Sequence, residues 1–176
     1  MMPPLYARVM GAAFDRLPPR VRGLHDVLRD DGASGRAFVT RGRHPLARLI
    51  AAVIGFPPEG EHPLHVAFAE RDGVETWTRE FSGRRFQSTL SQHGTRLVEQ
   101  FGPLRFGFDL PGDTQGLSMQ MRRWWLGPLR LPLAWAPRSV AREWDEDDRF
   151  HFDVPISLPL VGMVVHYRGW LQREVS

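Results

Sequence analysis

The sequence contains no cysteine, no lysine and no asparagine. Without cysteine there is no thiol nucleophile, no disulfide, no thiolate zinc site and no cysteine-ligated iron–sulfur cluster. All 23 basic residues are arginine, which removes lysine Schiff-base chemistry, the usual pyridoxal-phosphate attachment and any Walker-type lysine. The missing asparagine removes N-glycosylation. No apolar run approaches the roughly 18 residues that cross a bilayer. The longest candidate, Leu46 to Phe56, is short and carries Arg48. The first residues lack a charged lead into an apolar block, so no signal peptide is expected and the cytoplasm is the default location. Exclusive arginine usage also fits a GC-rich bacterial genome.

What remains is an ordinary globular composition, with 42% hydrophobic and 24% charged residues over 176 positions, read as a single domain over residues 1–176. The sequence pI near 10.4 reflects arginine's high pKa, because the formal net charge is only +3. Arginines alternate with aspartates and glutamates and form no basic stripe, so no nucleic-acid partner is expected.

Leu5 to Arg16 has helical spacing, with Leu5, Val9, Ala12 and Ala13 on one face. Pro18-Pro19 ends it, and Pro19 opens a second short helix to His25. Asp30 to Gly35 reads as a polar turn, followed by a first strand from Arg36 to Arg41. Pro45 then starts a helix whose Leu46, Leu49, Ile50, Val53 and Ile54 form an apolar stripe, expected to be buried as a plug or lid. Gly55 and Pro57-Pro58 stop it.

From His62 the apolar period becomes 2. Asp72-Gly73 and Ser82-Gly83 are hairpin turns. Two-residue loops there set Trp77 beside Phe68 and Ser88, Arg79 beside Phe86, and Glu80 opposite Arg85. Leu97 to Phe101, Leu104 to Leu110, Leu117 to Trp125 and Val140 to Trp144 continue the alternation, with a proline-containing loop from Leu126 to Arg138. In the last hairpin, closing Pro159-Leu160-Val161-Gly162 with Leu158 opposite Met163 brings Phe152 to Gly169, Val154 to Tyr167, Ile156 to Val165 and Asp153 to Arg168. A one-residue slip would break every match. The fold class is therefore α+β and mostly antiparallel β. N-terminal helices precede a curved meander sheet or partial barrel of about nine strands packed on one helix.

Motifs with chemistry are few. His62 and His65 enter a strand, where residues three apart face opposite ways, so they read as two exposed histidines and not as a metal pair. His151, Asp153, His166 and Arg168 share one face and are the candidate acid–base cluster; as a solvated patch they would contribute little stability. No nucleophile elbow or glycine-rich phosphate loop occurs, so the chain leans away from enzyme chemistry, and no cofactor or metal is implied. The aromatic excess points elsewhere. Phe106, Phe108, Met119, Met121, Phe152 and Tyr167, with Arg79 for a polar head, would line the concave face and hold an apolar ligand; the plain alternative is that they are core.

The run Leu97-Val98-Glu99-Gln100-Phe101-Gly102-Pro103-Leu104-Arg105-Phe106 resembles bacterial proteins of the domain-of-unknown-function family 4166. So do Ala136-Pro137-Arg138-Ser139, Phe150 to Gly162, Tyr167-Arg168-Gly169-Trp170-Leu171 and the N-terminal Leu5-Tyr6, Phe14-Asp15, Leu17-Pro18 and Leu24-His25. The resemblance implies no established activity. Some relatives are fused behind saccharopine-dehydrogenase-like NAD(P) domains, which implies an accessory role beside an oxidoreductase. Three expectations follow: a binding domain for a hydrophobic small molecule, an accessory module whose Trp124–Trp135 stretch contacts a protein, or an enzyme using the His151/Asp153/His166/Arg168 patch.

Overall fold

The alternation that starts at His62 becomes, in a computed structural model that describes residues 2–174, one continuous antiparallel ladder. Its strands are β1 (Asp31–Arg41), β2 (Gly60–Arg71), β3 (Val74–Phe81), β4 (Arg84–His93), β5 (Arg96–Phe101), β6 (Leu104–Asp109), β7 (Gly112–Asp113), β8 (Gly116–Leu126), β9 (Leu129–Arg130), β10 (Val140–Glu146), β11 (Arg149–Leu158) and β12 (Gly162–Arg173). The sheet is not the expected partial barrel of about nine strands. Ten strands close on themselves, because β8 pairs with β6 along one edge and with β10 along the other, while β12 pairs with β1. Closure leaves no long ladder edge to recruit a second chain.

Hairpin chemistry explains the registers. Asp72-Gly73 and Ser82-Gly83 both hold positive φ at each position (52° and 82°; 47° and 82°), the turn whose twist matches that of its strands. The expected pairs Phe68–Trp77, Trp77–Ser88, Arg79–Phe86 and Glu80–Arg85 all form. So do Phe152–Gly169, Asp153–Arg168, Val154–Tyr167 and Ile156–Val165. The turn itself differs: Leu158 pairs with Gly162, and a bulge at Ile156/Ser157 absorbs the offset. Gly162, at φ 80°, tolerates the left-handed conformation that Met163 would resist. A second bulge leaves Arg122 of β8 without a partner, so Met121 and Trp124 both face inward while Arg122 and Arg123 stay exposed.

The first strand begins at Asp31, five residues before expectation. Asp31 to Gly35 reads as a turn because its residues are small and polar, but the smallness serves packing. An added Cβ at Gly35 would lie 1.9 Å from the Trp170 carbonyl oxygen, and one at Gly169 would lie 1.9 Å from the Arg36 carbonyl oxygen. β1 and β12 can approach this closely only with both glycines.

The barrel is plugged from one end by α1 (Leu5–Met10), a 3-10 helix (Gly11–Arg16) and α2 (Pro19–His25). The expected single helix over 5–16 changes type at Gly11, whose φ of 58° no α-helix accommodates. Leu5, Tyr6, Phe14, Leu17, Val21, Leu24 and Val27 join one core with Phe68, Trp77, Leu90, Leu97 and Phe150 of the barrel wall, each buried side chain contributing about 1.5–3 kcal/mol. Arg173 pins α2 through the carbonyl oxygens of Gly23 and Asp26.

Against expectation, α3 (Pro45–Ile54) does not bury its leucine stripe. It buries two of its three alanines, Ala47 and Ala51, with Val39, Val164 and Val165, and Ile50 packs half-buried at the margin. Leu46, Leu49, Val53 and Ile54 remain 45%, 59%, 78% and 39% exposed. The helix backbone lies so close to the strands that only methyl side chains fit beneath it. Its last turn ends in Gly55 at φ 86°, which sends Phe56 into the barrel mouth against Phe86 and Tyr167.

Replacing Ala51 with Leu should cost about 1–3 kcal/mol by overpacking, whereas Leu49→Gln should stay within about 0.5 kcal/mol of the parent. Urea unfolding midpoints compare the two, and a reversed order would mean that α3 packs with its leucine face inward.

Candidate functional site

Ten strands contribute their inward positions to one chamber, and the plug divides it. At the plugged end lies a buried polar group assembled from distant parts of the chain. His25 Nε2 donates to Glu143 Oε2 at 2.6 Å, and the ring of Tyr6 stacks on His25 at 3.7 Å between centroids. Trp77 lies 5.6 Å from His25 on a nearly parallel plane, and its Nε1 donates to Glu75 Oε2 at 2.9 Å. Burial pushes the Tyr6 hydroxyl well above its ordinary pKa, with Glu143 and Glu75 adding to the shift. Burial also raises the Glu75 carboxyl, against the opposing hydrogen bond from Trp77. His25 Nδ1 and Glu75 Oε1 are buried without a protein partner. Sequence reasoning missed this group. The signal available was phase: Glu75 shares its inward phase with Trp77 and Arg79, and Glu99 with Leu97.

The half of the chamber away from the plug is mainly apolar with one charged floor. Arg79 donates to Ser88 Oγ at 2.8 Å and to Glu99 Oε1 at 3.2 Å, and Ser88 Oγ donates to the same carboxylate oxygen at 2.7 Å. The guanidinium sits 5.3 Å from the Trp77 ring and 5.5 Å from Phe86, a cation–π sandwich that holds its plane. Around it, Phe86, Phe101, Leu104, Met121, Trp124, Val154 and Tyr167 pack on the core from inside the barrel, yet none is fully buried. Burial pushes the Tyr167 hydroxyl up to about 12, Arg79 opposing and Glu99 adding. Among the described residues that hydroxyl has no hydrogen-bond partner.

All seven expected ligand-lining residues therefore face the interior. Phe106, Phe108, Met119 and Phe152 are buried, at 9%, 7%, 9% and 6% exposure, while Met121, Tyr167 and Arg79 are half-buried. This end of the wall is incompletely hydrogen-bonded. β8 and β10 share only the pairs from Leu117–Glu143 to Gln120–Val140, and beyond them the chain from Gly127 to Ser139 spans the gap between β8 and β11. A single bridge, Arg138–Ser157, ties that flap to β11.

Of the expected outer patch, Asp153 and His166 are in contact among the described residues. Asp153 pairs in register with Arg168 and with Arg142, but its ion pair is with His166. His151 stacks on Trp144 at 5.5 Å, with its Nε2 buried and unpartnered. An open groove of about 670 Å³ borders Asp153 together with Arg142, Trp144 and Ser118; His151, His166 and Arg168 lie outside it. His62 is 8% exposed, not exposed as expected, and bonds Ser82 Oγ and the Pro58 carbonyl. His65 faces the other way toward Glu174.

A closed antiparallel barrel with a helical plug at one end and an aromatic interior defines the class of the protein. The family described as "Domain of unknown function (DUF4166)" matches residues 17–171, and the chain belongs to it. Among solved structures, Rv2717c from M. tuberculosis is similar in fold at a TM-score of 0.51 and 15% identity, over 90% of this chain and 99% of that one. A protein of unknown function from the DUF3598 family of Nostoc punctiforme matches at 0.50 and 13%, over 84% and 48%. The chain thus spans about half the length of the Nostoc protein. No curated protein matches.

His25→Leu leaves the Glu143 carboxylate without its partner and should cost about 3–5 kcal/mol; the double variant His25→Leu/Glu143→Leu should recover much of that loss in urea titrations. Because Glu75 is raised in the folded state, the folded protein holds a proton that the unfolded chain has released. Stability at Glu75 is therefore present at acidic pH and lost as pH rises through the raised value. Glu75→Gln should flatten this decline, and identical pH–stability slopes for variant and parent would refute it.

Proposed function

We propose that the protein is a binding domain for a small hydrophobic, lipid-like molecule held in the barrel between the N-terminal plug and Phe56. The observation that carries this reading is the ring of inward aromatic and aliphatic side chains that stay incompletely buried around Arg79. In a chamber meant only as core, such side chains would interdigitate until none was left accessible. The polar floor also constrains the ligand. Arg79 is already neutralised by Glu99, so a carboxylate or phosphate there would face the Glu99 charge without a free cation. A neutral polar end, an alcohol, ketone or ester, suits the remaining guanidinium N–H groups and the unpartnered Tyr167 hydroxyl.

A second reading has its own support. Leu126 at the end of β8 and Leu129, Leu133 and Trp135 of the flap are 48%, 62%, 52% and 64% exposed, an apolar stretch that an accessory module would use against a protein partner. Mass spectrometry of the purified protein, native and after organic extraction, tests the first reading. A bound apolar molecule at one per chain is expected. Nile red should also bind at one per chain, and Met121→Trp, which fills the chamber, should lower its affinity at least about tenfold, a loss of roughly 1.4 kcal/mol. A protein without bound ligand that also fails to enhance Nile red emission would overturn the reading.

A further inference from the structure

The two ends of the barrel differ in kind. The plugged end gathers the turns 72–73, 94–95, 110–115 and 147–148 together with the N-terminal segment. The opposite end gathers α3, the turns 82–83, 102–103 and 159–161, and the flap 127–139. Exposed large apolar side chains concentrate at the second end: Leu49, Val53, Leu129, Trp135 and Leu160 are 59%, 78%, 62%, 64% and 104% exposed. They sit on three separate protrusions, a helix, a flap and a turn, all projecting from the same rim.

Charge divides the same way. In the loops of the apolar end, residues 42–59, 82–83, 102–103, 127–139 and 159–161, Glu59 is the sole carboxylate, against Arg43, Arg48, Arg130 and Arg138. Arg84 stands at the adjoining strand start. All five arginines are exposed, and among the described residues none is in an ion pair. The other end, residues 2–30, 72–73, 94–95, 110–115 and 147–148, mixes Arg8, Arg16, Arg20, Arg22 and Arg29 with seven aspartates, Asp15, Asp26, Asp30, Asp72, Asp113, Asp147 and Asp148. Burial lowers the Arg41 pKa, and the neighbouring Arg84 adds to the shift.

We propose that this end of the barrel docks on the surface of an anionic phospholipid bilayer, the apolar side chains of α3, the flap and the 159–161 turn entering the headgroup region while the arginines meet lipid phosphates. Apolar side chains ringed by unpaired arginines match such an interface on both terms. Several small protrusions around an opening suit a deformable surface better than the single flat patch of a protein contact. No helix among the described residues is long and apolar enough to cross a membrane, and α3 lies along the rim, so its part in docking is peripheral. The inference rests on the rim alone and stands whether or not the chamber holds a ligand. Joined to the binding reading, it names a source for the ligand, since the rim is also the mouth beside Phe56.

Co-sedimentation of the full chain with vesicles tests it, using phosphatidylcholine alone and phosphatidylcholine with phosphatidylglycerol at about 2:1. Binding is expected to the anionic vesicles and to weaken strongly between about 0.1 M and about 0.5 M sodium chloride. Arg43→Gln/Arg48→Gln should weaken it roughly thirtyfold, and Leu49→Gln/Val53→Gln should do so at least about tenfold. Val74→Gln, at the plugged end, should leave it unchanged. Absence of binding to both vesicle types, equal binding to both, or indifference to the α3 substitutions would overturn the proposal. Self-association that vanishes in Leu49→Gln/Val53→Gln, with no vesicle binding, would overturn it too and assign the face to a second copy. Nile red uptake by the α3 variants is read separately, so a failure of docking and a failure of ligand binding remain distinguishable.

Discussion

The ladder from Leu117 to Gln120 of β8 against Val140 to Glu143 of β10 is the contact on which the architecture depends. It converts a meandering sheet into a tube, and only a tube has an inside that a helical plug can occupy. It also carries Glu143 to the place where His25 meets it, 118 residues away in sequence. Beyond this short ladder β8 and β11 diverge, and the wall becomes a proline-containing flap. The same brevity that closes the barrel at one level leaves it open at the next.

Inside, the two halves obey different physics. Next to the plug, aromatic rings and carboxylates are held by stacking and short hydrogen bonds, and His25 Nδ1 and Glu75 Oε1 are buried without a partner among the described residues. A buried, partly satisfied group of this kind fixes one arrangement of helices in the tube more than it adds stability. In the other half Arg79 is held flat between Trp77 and Phe86 and neutralised by Glu99, a preorganised polar floor under apolar walls.

The hairpins were legible because each local choice agreed with its neighbours: positive-φ turns, apolar facing apolar, acid facing base. The lining residues Phe106 to Tyr167 were legible for the same reason, since period-2 phase decides which way they point. Three things were not. β1 hid its first half in Asp31-Gly32-Ala33-Ser34-Gly35, where small residues serve close strand approach and mimic a turn. α3 announced a buried leucine stripe and buried Ala47 and Ala51, because distance to the strand below, not hydrophobicity, selected the inner face. The His25–Glu143–Tyr6–Glu75 group was legible only in the inward phase of Glu75, since its members meet only after every strand is in place.

The barrel is joined through β1 and β12, so the first strand waits for the last. During synthesis the plug helices emerge before the strands that surround them, and the sheet keeps two unpaired edges until β12 has emerged. Such topology implies folding dominated by long-range pairing and slow in its final step. No terminal fragment of the barrel has a closed core of its own.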